Sequence, residues 1–255
     1  METTVERAVT RVISSMHENL GQELTIDDMA ETAMYSKFHF TRIFKGMTGT
    51  TPGRFLSALR LQEAKRLLVT TELNITDISN LVGYQSVGTF SSRFKSSVGM
   101  APTTYRQLGG FAEVIHTDHR RPTNRSRPLA IQGTVFPPLE GGAGFVFIGL
   151  FPDCIPQGQP VRCTVLDRPG DYILEDVPEG TWHVLTQSVP YGMEEHDGIG
   201  KDAAPSIGSY GPVTVSADTL LKPAHIQLRS MRALDPPVLL ALLDMRMTAL
   251  AAVAV

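Results

Sequence analysis

The sequence has little cysteine, two residues in 255 (Cys154 and Cys163), and a single tryptophan. Two thiols in so long a chain cannot form a stapling framework of disulfides. No apolar run follows the opening METTVER, so no secretory leader is expected there. Long hydrophobic stretches are scarce as well. The one membrane candidate, residues 238–255, is interrupted by Asp244 and Arg246, charges that are expensive at mid-bilayer. Catalytic furniture is also missing: there is no supported Ser-His-Asp or paired-carboxylate arrangement and no glycine-rich phosphate loop. His183, His196 and His225 with Glu194, Glu195 and Asp197 fit no recurring zinc spacing, and His116 and His119 flank Asp118 in a polar stretch. The expectation is a reduced, cytoplasmic, non-enzymatic protein with no metal, other cofactor or membrane span. The composition, 42% hydrophobic and 19% charged, is that of a folded chain of one or two domains.

Acidic residues are rare in one particular place. The net charge is −3 overall, yet residues 37–107 carry +7, flanked by −5 over residues 1–36 and −7 over residues 129–255. A cationic stretch between acidic ones has the sign needed to face a polyanion. The boundaries of pattern agree with those of charge. Residues 1–107 show apolar positions at helical spacing, whereas residues 129–232 carry short runs punctuated by proline and glycine: LAIQGTVF, GFVFIGLF, VRCTVLD, DYILEDV, TWHVLTQSV, GPVTVSA and AHIQLRS. Residues 108–128 between them are polar, with Arg120, Arg121, Arg125 and Arg127, and are expected to form a basic linker.

The helical half matches itself with a period of 50: Asp27 with Asp77, Ser36 with Ser86, Phe40 with Phe90, Phe44 with Phe94, Lys45 with Lys95, Gly49 with Gly99 and Pro52 with Pro102. In the first copy Thr25 caps a short helix with Ile26, Met29, Ala30 and Ala33, and Ser36 is placed to cap the next. That helix puts Phe40, Ile43, Phe44 and Met47 on one face and Phe38, Thr41, Arg42 and Lys45 on the other. The second copy has Ile75, Ile78 and Leu81, a break at Gly83, the cap Ser86, then Phe90, Phe94 and Val98 inward. Gly88, Ser91, Ser92 and Lys95 fall outward, with Arg93 beside them. Residues 52–68, starting with proline, form a joining helix about 25 Å long, comparable with the roughly 34 Å helical repeat of DNA. A helix fits the major groove. Arg forks onto guanine, Ser and Thr bond base edges, and an exposed Phe meets a thymine methyl.

On these residues, LTIDDMAETAMYSKFHFTRIFKGMTGTTPGRFLSALRLQEAKRLL and ITDISNLVGYQSVGTFSSRFKSSVGMAPTTYR above all, residues 1–107 resemble the DNA-binding domain of AraC/XylS-type transcriptional regulators. The resemblance implies double-stranded DNA as partner. It places Phe38, Thr41 and Arg42, and Val87, Gly88, Thr89, Ser91 and Ser92, at bases, with Lys37, Lys45, Arg93, Lys95 and Arg106 near phosphates. Serine at position 92 and the bare Gly88 imply that the second helix positions more than it reads. RNA polymerase is a further partner to consider.

The β half, through IQGTV at residues 131–135 and GDYILEDVPEGTWHV at residues 170–184, resembles transthyretin-like sandwiches. Here the companion domain follows the DNA-binding one, whereas in many relatives it precedes it. Two roles stay open for it: a small-molecule sensor, or a structural and dimer-forming module. A final helix over residues 233–255, capped by Asp235 and started by Pro236 and Pro237, would lie on a sheet edge or pair with a second chain. The expected fold is therefore an α+β two-domain chain. It has an all-α tandem helix-turn-helix domain (1–107), a linker (108–128), a seven-stranded Greek-key sandwich (129–232) and a C-terminal helix.

Overall fold

In the computed structural model the described residues are 3–110, 129–139, 142–188, 206–216 and 221–239. They fall into two units, a helical one of residues 3–110 with 232–239, and a β unit containing the described residues between. Residues 111–128 of the basic linker with its four arginines, Glu194, Glu195, His196 and Asp197, and residues 240–255 lie outside the described residues.

The helical unit opens with α1 (Thr4–Glu18), set by a capping box in which the Thr3 hydroxyl accepts from the Glu6 N–H and the Glu6 carboxylate accepts in return. Val9, Val12, Ile13 and Met16 then recur at i, i+3, i+4 and i+7, and all are buried. Next come α2 (Ile26–Ala33), α3 (Lys37–Thr48), α4 (Pro52–Thr70), α5 (Ile75–Leu81), α6 (Val87–Val98) and α7 (Pro102–Gln107). Proline begins both α4 and α7, where its missing N–H has no partner to lose. Gly49 and Gly99 end α3 and α6 in the left-handed region, at φ 76° and 99°.

The repeat is built of aromatic ladders. Phe40 meets Phe44, and Phe44 meets Phe55, edge-on with centroids 5.5 and 5.4 Å apart. In the second copy Phe90 meets Phe94 at a tilt, 5.7 Å apart, and Phe94 meets Tyr105 edge-on at 5.5 Å, so Phe55 and Tyr105 form a further pair at the 50-residue period. Aromatic pairs of this geometry add about 0.5–1.5 kcal/mol beyond their buried area.

The period is not uniform, however. The carboxylates at the third position of α2 and α5 are Asp28 and Asp77, 49 apart, while α3 and α6 start 50 apart. The Asp27–Asp77 identity therefore does not join equivalent positions, and one extra residue sits in the second turn.

In the β unit, β1 (Ile131–Phe136), β2 (Val146–Phe151), β3 (Arg162–Leu166), β4 (Asp171–Leu174), β5 (Gly180–Ser188), β6 (Ser206–Val215), β7 (Ile226–Gln227) and β8 (Arg229–Ser230) form two sheets, ordered β4-β1-β7 and β3-β2-β5-β6-β8. Ile131, Tyr172 and Ile226 of the first sheet share one core with Ile148, Leu150 and Val184 of the second. All described pairings are antiparallel except β1 with β7.

The expected seven strands are eight among the described residues, because AHIQLRS is divided at Leu228. Its first half pairs with β1 in one sheet and its second with β6 in the other, so the chain changes sheets there. The DYILEDVPEGTWHV segment behaves as its alternation implies. Tyr172, Leu174 and Val177 are buried, and the Trp182 indole N–H closes the turn on the Pro178 carbonyl at 2.9 Å.

Among the described residues no helix starts at Asp235. Residues 233–235 form a turn and 236–239 are irregular. Asp235 turns its carboxylate back onto the Arg232 N–H at 2.7 Å instead of capping forward. Each proline also pushes the residue before it out of the helical region.

Candidate nucleic-acid interface

Each helix pair is fixed at its start by a polar cap. Thr25 and Asp28 form a capping box on α2, with Thr25 N–H to Asp28 at 2.8 Å and Asp28 N–H to the Thr25 hydroxyl at 3.2 Å. The Thr25 hydroxyl also donates to the Asp28 carboxylate at 2.7 Å, and this bond, ahead of the one from the Thr25 backbone N–H, holds the Asp28 carboxyl below its ordinary value. Asn74 accepts from the Asp77 N–H at 2.8 Å on α5. Met34 (φ 62°) and Gly83 (φ 79°) then reverse the chain in the left-handed region. A Cβ at Gly83 would run into the Leu20 carbonyl oxygen and lie 2.7 Å from Nη2 of Arg60, so glycine is required there for space as well as for backbone. Arg60 crosses from α4 to tie this corner down, donating to the Leu20 and Gln22 carbonyls at 3.0 and 2.7 Å. Ser36 and Ser86 occupy the next cap positions; Ser86 accepts from Thr89 at 3.4 Å, while the Ser36 hydroxyl makes no cap bond.

The ladders bury Phe40, Phe44, Phe90 and Phe94, which turns the opposite faces of α3 and α6 outward. Phe38 is 88% exposed. Arg42, Lys45, Ser92, Arg93, Lys95, Val87, Gly88 and Thr89 are exposed too, and Thr41 and Ser91 are half-buried. Neither helix contains an acidic residue. Among the described residues no hydrogen bond or ion pair engages the side chains of Arg42, Lys45, Arg93 or Lys95.

Three residues are less available than the sequence implied. The Thr41 hydroxyl donates to the Lys37 carbonyl at 2.8 Å, within its own helix. Lys37 is paired with Asp27 of α2 at 2.8 Å. Arg106 points its Nε at the Leu68 carbonyl at 3.0 Å and Nη2 toward that of Thr71, so it caps the end of α4 rather than reaching outward. His39 lies edge-on to Tyr35 at 5.0 Å, a packing role.

A helix-turn-helix domain family matches residues 29–108. The chain is 32% identical over 98 residues to the HTH-type transcriptional activator AarP of Providencia stuartii, covering 38% of this chain and 73% of that protein. It is 32% identical over 106 residues to the probable transcription factor PqrA of Proteus vulgaris, covering 41% of this chain and 87% of that one. The chain belongs to the AraC family of transcriptional regulators. The part of the chain that carries this membership is the helix-turn-helix domain of residues 29–108. Identity with the uncharacterized HTH-type transcriptional regulator YobQ of Bacillus subtilis is 36% over 94 residues, 37% of this chain and 39% of YobQ. The match to the family ends at residue 108, so the β unit of this regulator stands outside it.

Among the described residues no group of three His, Cys, Asp or Glu gathers for a metal, and no helix is long and apolar enough to cross a membrane. His225 accepts the Thr134 N–H at 3.2 Å through Nδ1. No disulfide joins Cys154 and Cys163, and burial raises the Cys163 thiol pKa, which lowers its share of thiolate. Residue patterns did not point to α1, although Thr3-x-x-Glu6 was its signal, nor to Arg60, whose carbonyl partners lie about forty positions away.

Proposed function

We propose that this regulator reads two successive major-groove segments of double-stranded DNA, with α3 and α6 as the recognition helices. The carrying observation is that two acid-free helices expose cations and hydroxyls in equivalent positions, joined by a helix of 19 residues, about 28 Å long. On α3, Phe38 meets a thymine methyl, Arg42 forks onto guanine and Thr41 bonds a neighbouring edge. On α6, Val87, Gly88, Thr89, Ser91 and Ser92 face the bases with shorter reach. Lys37, Lys45, Arg93 and Lys95 neutralise phosphates, and Arg106 is left to hold α4.

Selection of bound sequences from a random duplex pool by the full chain tests this reading. With the selected duplex, Arg42→Ala should cost about 1–3 kcal/mol and relax one base position, while Lys95→Ala weakens all sequences alike and flattens the salt dependence by about one unit. An unchanged footprint and sequence preference for Arg42→Ala would remove that side chain from the interface.

The β unit serves as a transthyretin-like Greek-key companion acting with the DNA-binding unit in the cytoplasm, as a ligand sensor or a dimer contact. Exposed Phe136 and Ile173, on one face of the β4-β1-β7 sheet, favour the dimer. Sedimentation of the full chain with Phe136→Ser and Ile173→Ser decides between them: a fall from dimer to monomer supports the contact.

A further inference from the structure

After β8 the chain returns to the helical unit, and Leu234 enters the same core cluster that seats Phe40 and Phe44 beneath α3. It is 5% exposed, and Pro237 and Leu239 are also buried. The turn that presents Leu234 is closed on itself. Arg232 N–H donates to the Asp235 carboxylate at 2.7 Å, Asp235 N–H donates to the Arg232 carbonyl at 3.0 Å, and the Arg232 guanidinium lies 3.6 Å from the other carboxylate oxygen. Pro236 and Pro237 follow, with fixed φ and no N–H to satisfy, so the segment loses little freedom when it seats. A preorganised turn carrying one apolar anchor has the make-up of a docking peptide.

We infer that residues 232–239 are a docking segment held in cis by the first helix-turn-helix module, whose occupancy supports the DNA-reading face of α3. The chain leaves the helical unit after residue 110 and comes back at residue 232, so in sequence the β unit is inserted between two stretches of the helical one. The segment joins the cluster formed by α1 to α4, which makes the two repeats unequal: α3 rests on a core that borrows a residue from beyond the β unit. A change in the β unit that draws the segment away removes Leu234 from the cluster that also seats Phe40 and Phe44 of α3. The two occupancy states then differ in affinity for DNA, the differential that coupling between sites requires. The DNA consequence rests on the reading of α3 given above, whereas the docking itself does not.

Hydrogen exchange on the full chain without DNA tests the docking, comparing Leu234→Asp with a control, Leu139→Asp, at a β-unit position 94% exposed. Leu234→Asp should speed exchange of the Val12, Ile13, Phe40 and Phe44 amides about tenfold while leaving Phe90, Phe94 and Ile148 unchanged, with the control silent. Parent-like exchange in α1 and α3 would overturn the inference. So would equal acceleration of α6. Where the aspartate variant does not fold, Leu234→Ala gives the same local pattern at smaller size. In a second arm Leu234→Asp should weaken the selected duplex about fivefold or more, with protection lost first over the α3 half-site. Faster exchange with unchanged affinity upholds the docking and counts against α3 as a reader.

Discussion

Asp27→Asn should make this protein bind DNA more tightly. In the free protein Lys37 Nζ sits 2.8 Å from Asp27 Oδ2, with the two side chains 47% and 67% exposed. To reach a phosphate the lysine must leave its partner, and the abandoned carboxylate then stays near a polyanion. An exposed pair of this kind is worth about 0.2–1 kcal/mol. At about 1.4 kcal/mol per tenfold, removing that cost alone tightens binding about 1.5- to 5-fold at low salt. Relief of repulsion adds to it, and both gains shrink as salt screens them. The substitution also removes a carboxylate from the first turn of α2, where it favours the helix dipole, so unfolding in urea should show a small loss of stability beside the gain in affinity. Fluorescence anisotropy of the selected duplex, titrated with the full chain across a salt series, measures the effect. Lys37→Ala should weaken binding, and Asp27→Asn combined with Lys37→Ala should lose most of the gain. Binding no tighter at any salt would refute the reasoning; an equal gain in the double variant would show that Lys37 is not the mediator.

Gly88→Ala separates the protein's own needs from those of its ligand. A Cβ there would have the Ser86 hydroxyl, at 3.7 Å, as its nearest neighbour, so folding does not require glycine and the helix should gain up to about 1 kcal/mol. Weaker DNA binding by a more stable protein, from urea unfolding and anisotropy together, would show that α6 approaches the duplex closely. Gly83→Ala should instead destabilise the helical unit by at least about 1–2 kcal/mol, since left-handed backbone and a collision with Leu20 and Arg60 combine; a urea midpoint like the parent's would refute the crowding. The lowered Asp28 pKa means that its carboxylate stabilises the fold above the ordinary aspartate value, and that this contribution is lost as pH falls through the still lower folded value. Asp28→Asn should therefore flatten acid unfolding in that window, as followed by circular dichroism.

Local pattern carried most of the helical unit. Capping residues, paired glycines and prolines, and phenylalanines at helical spacing mark the element starts, ends and buried faces within a few residues of one another. What it did not carry depends on distant partners. Arg106 has the charge of a phosphate ligand, but its guanidinium is taken by the Leu68 carbonyl, 38 positions back. Lys37 is neutralised by a residue on another helix. The identity of Asp27 with Asp77 aligned the repeats one position out in their first helices, because composition alone does not reveal which of two adjacent aspartates donates its N–H to the cap side chain. In the β half, alternation gave the inward residues, but the change of sheet at Leu228 is a property of the pairing partners. The double proline after Asp235 looked like a helix start by position, and the carboxylate's backward bond reverses that meaning.

The tandem order of the two modules has a bearing on how a promoter is laid out. Subunits related by a dyad read inverted half-sites and are indifferent to which way the operator runs. On the proposed reading, two unequal modules following one another in a single polypeptide give each bound chain a front and a back. Reversing the stretch read by one chain relative to the start of transcription should turn that chain round, so the outcome should depend on orientation as well as on spacing.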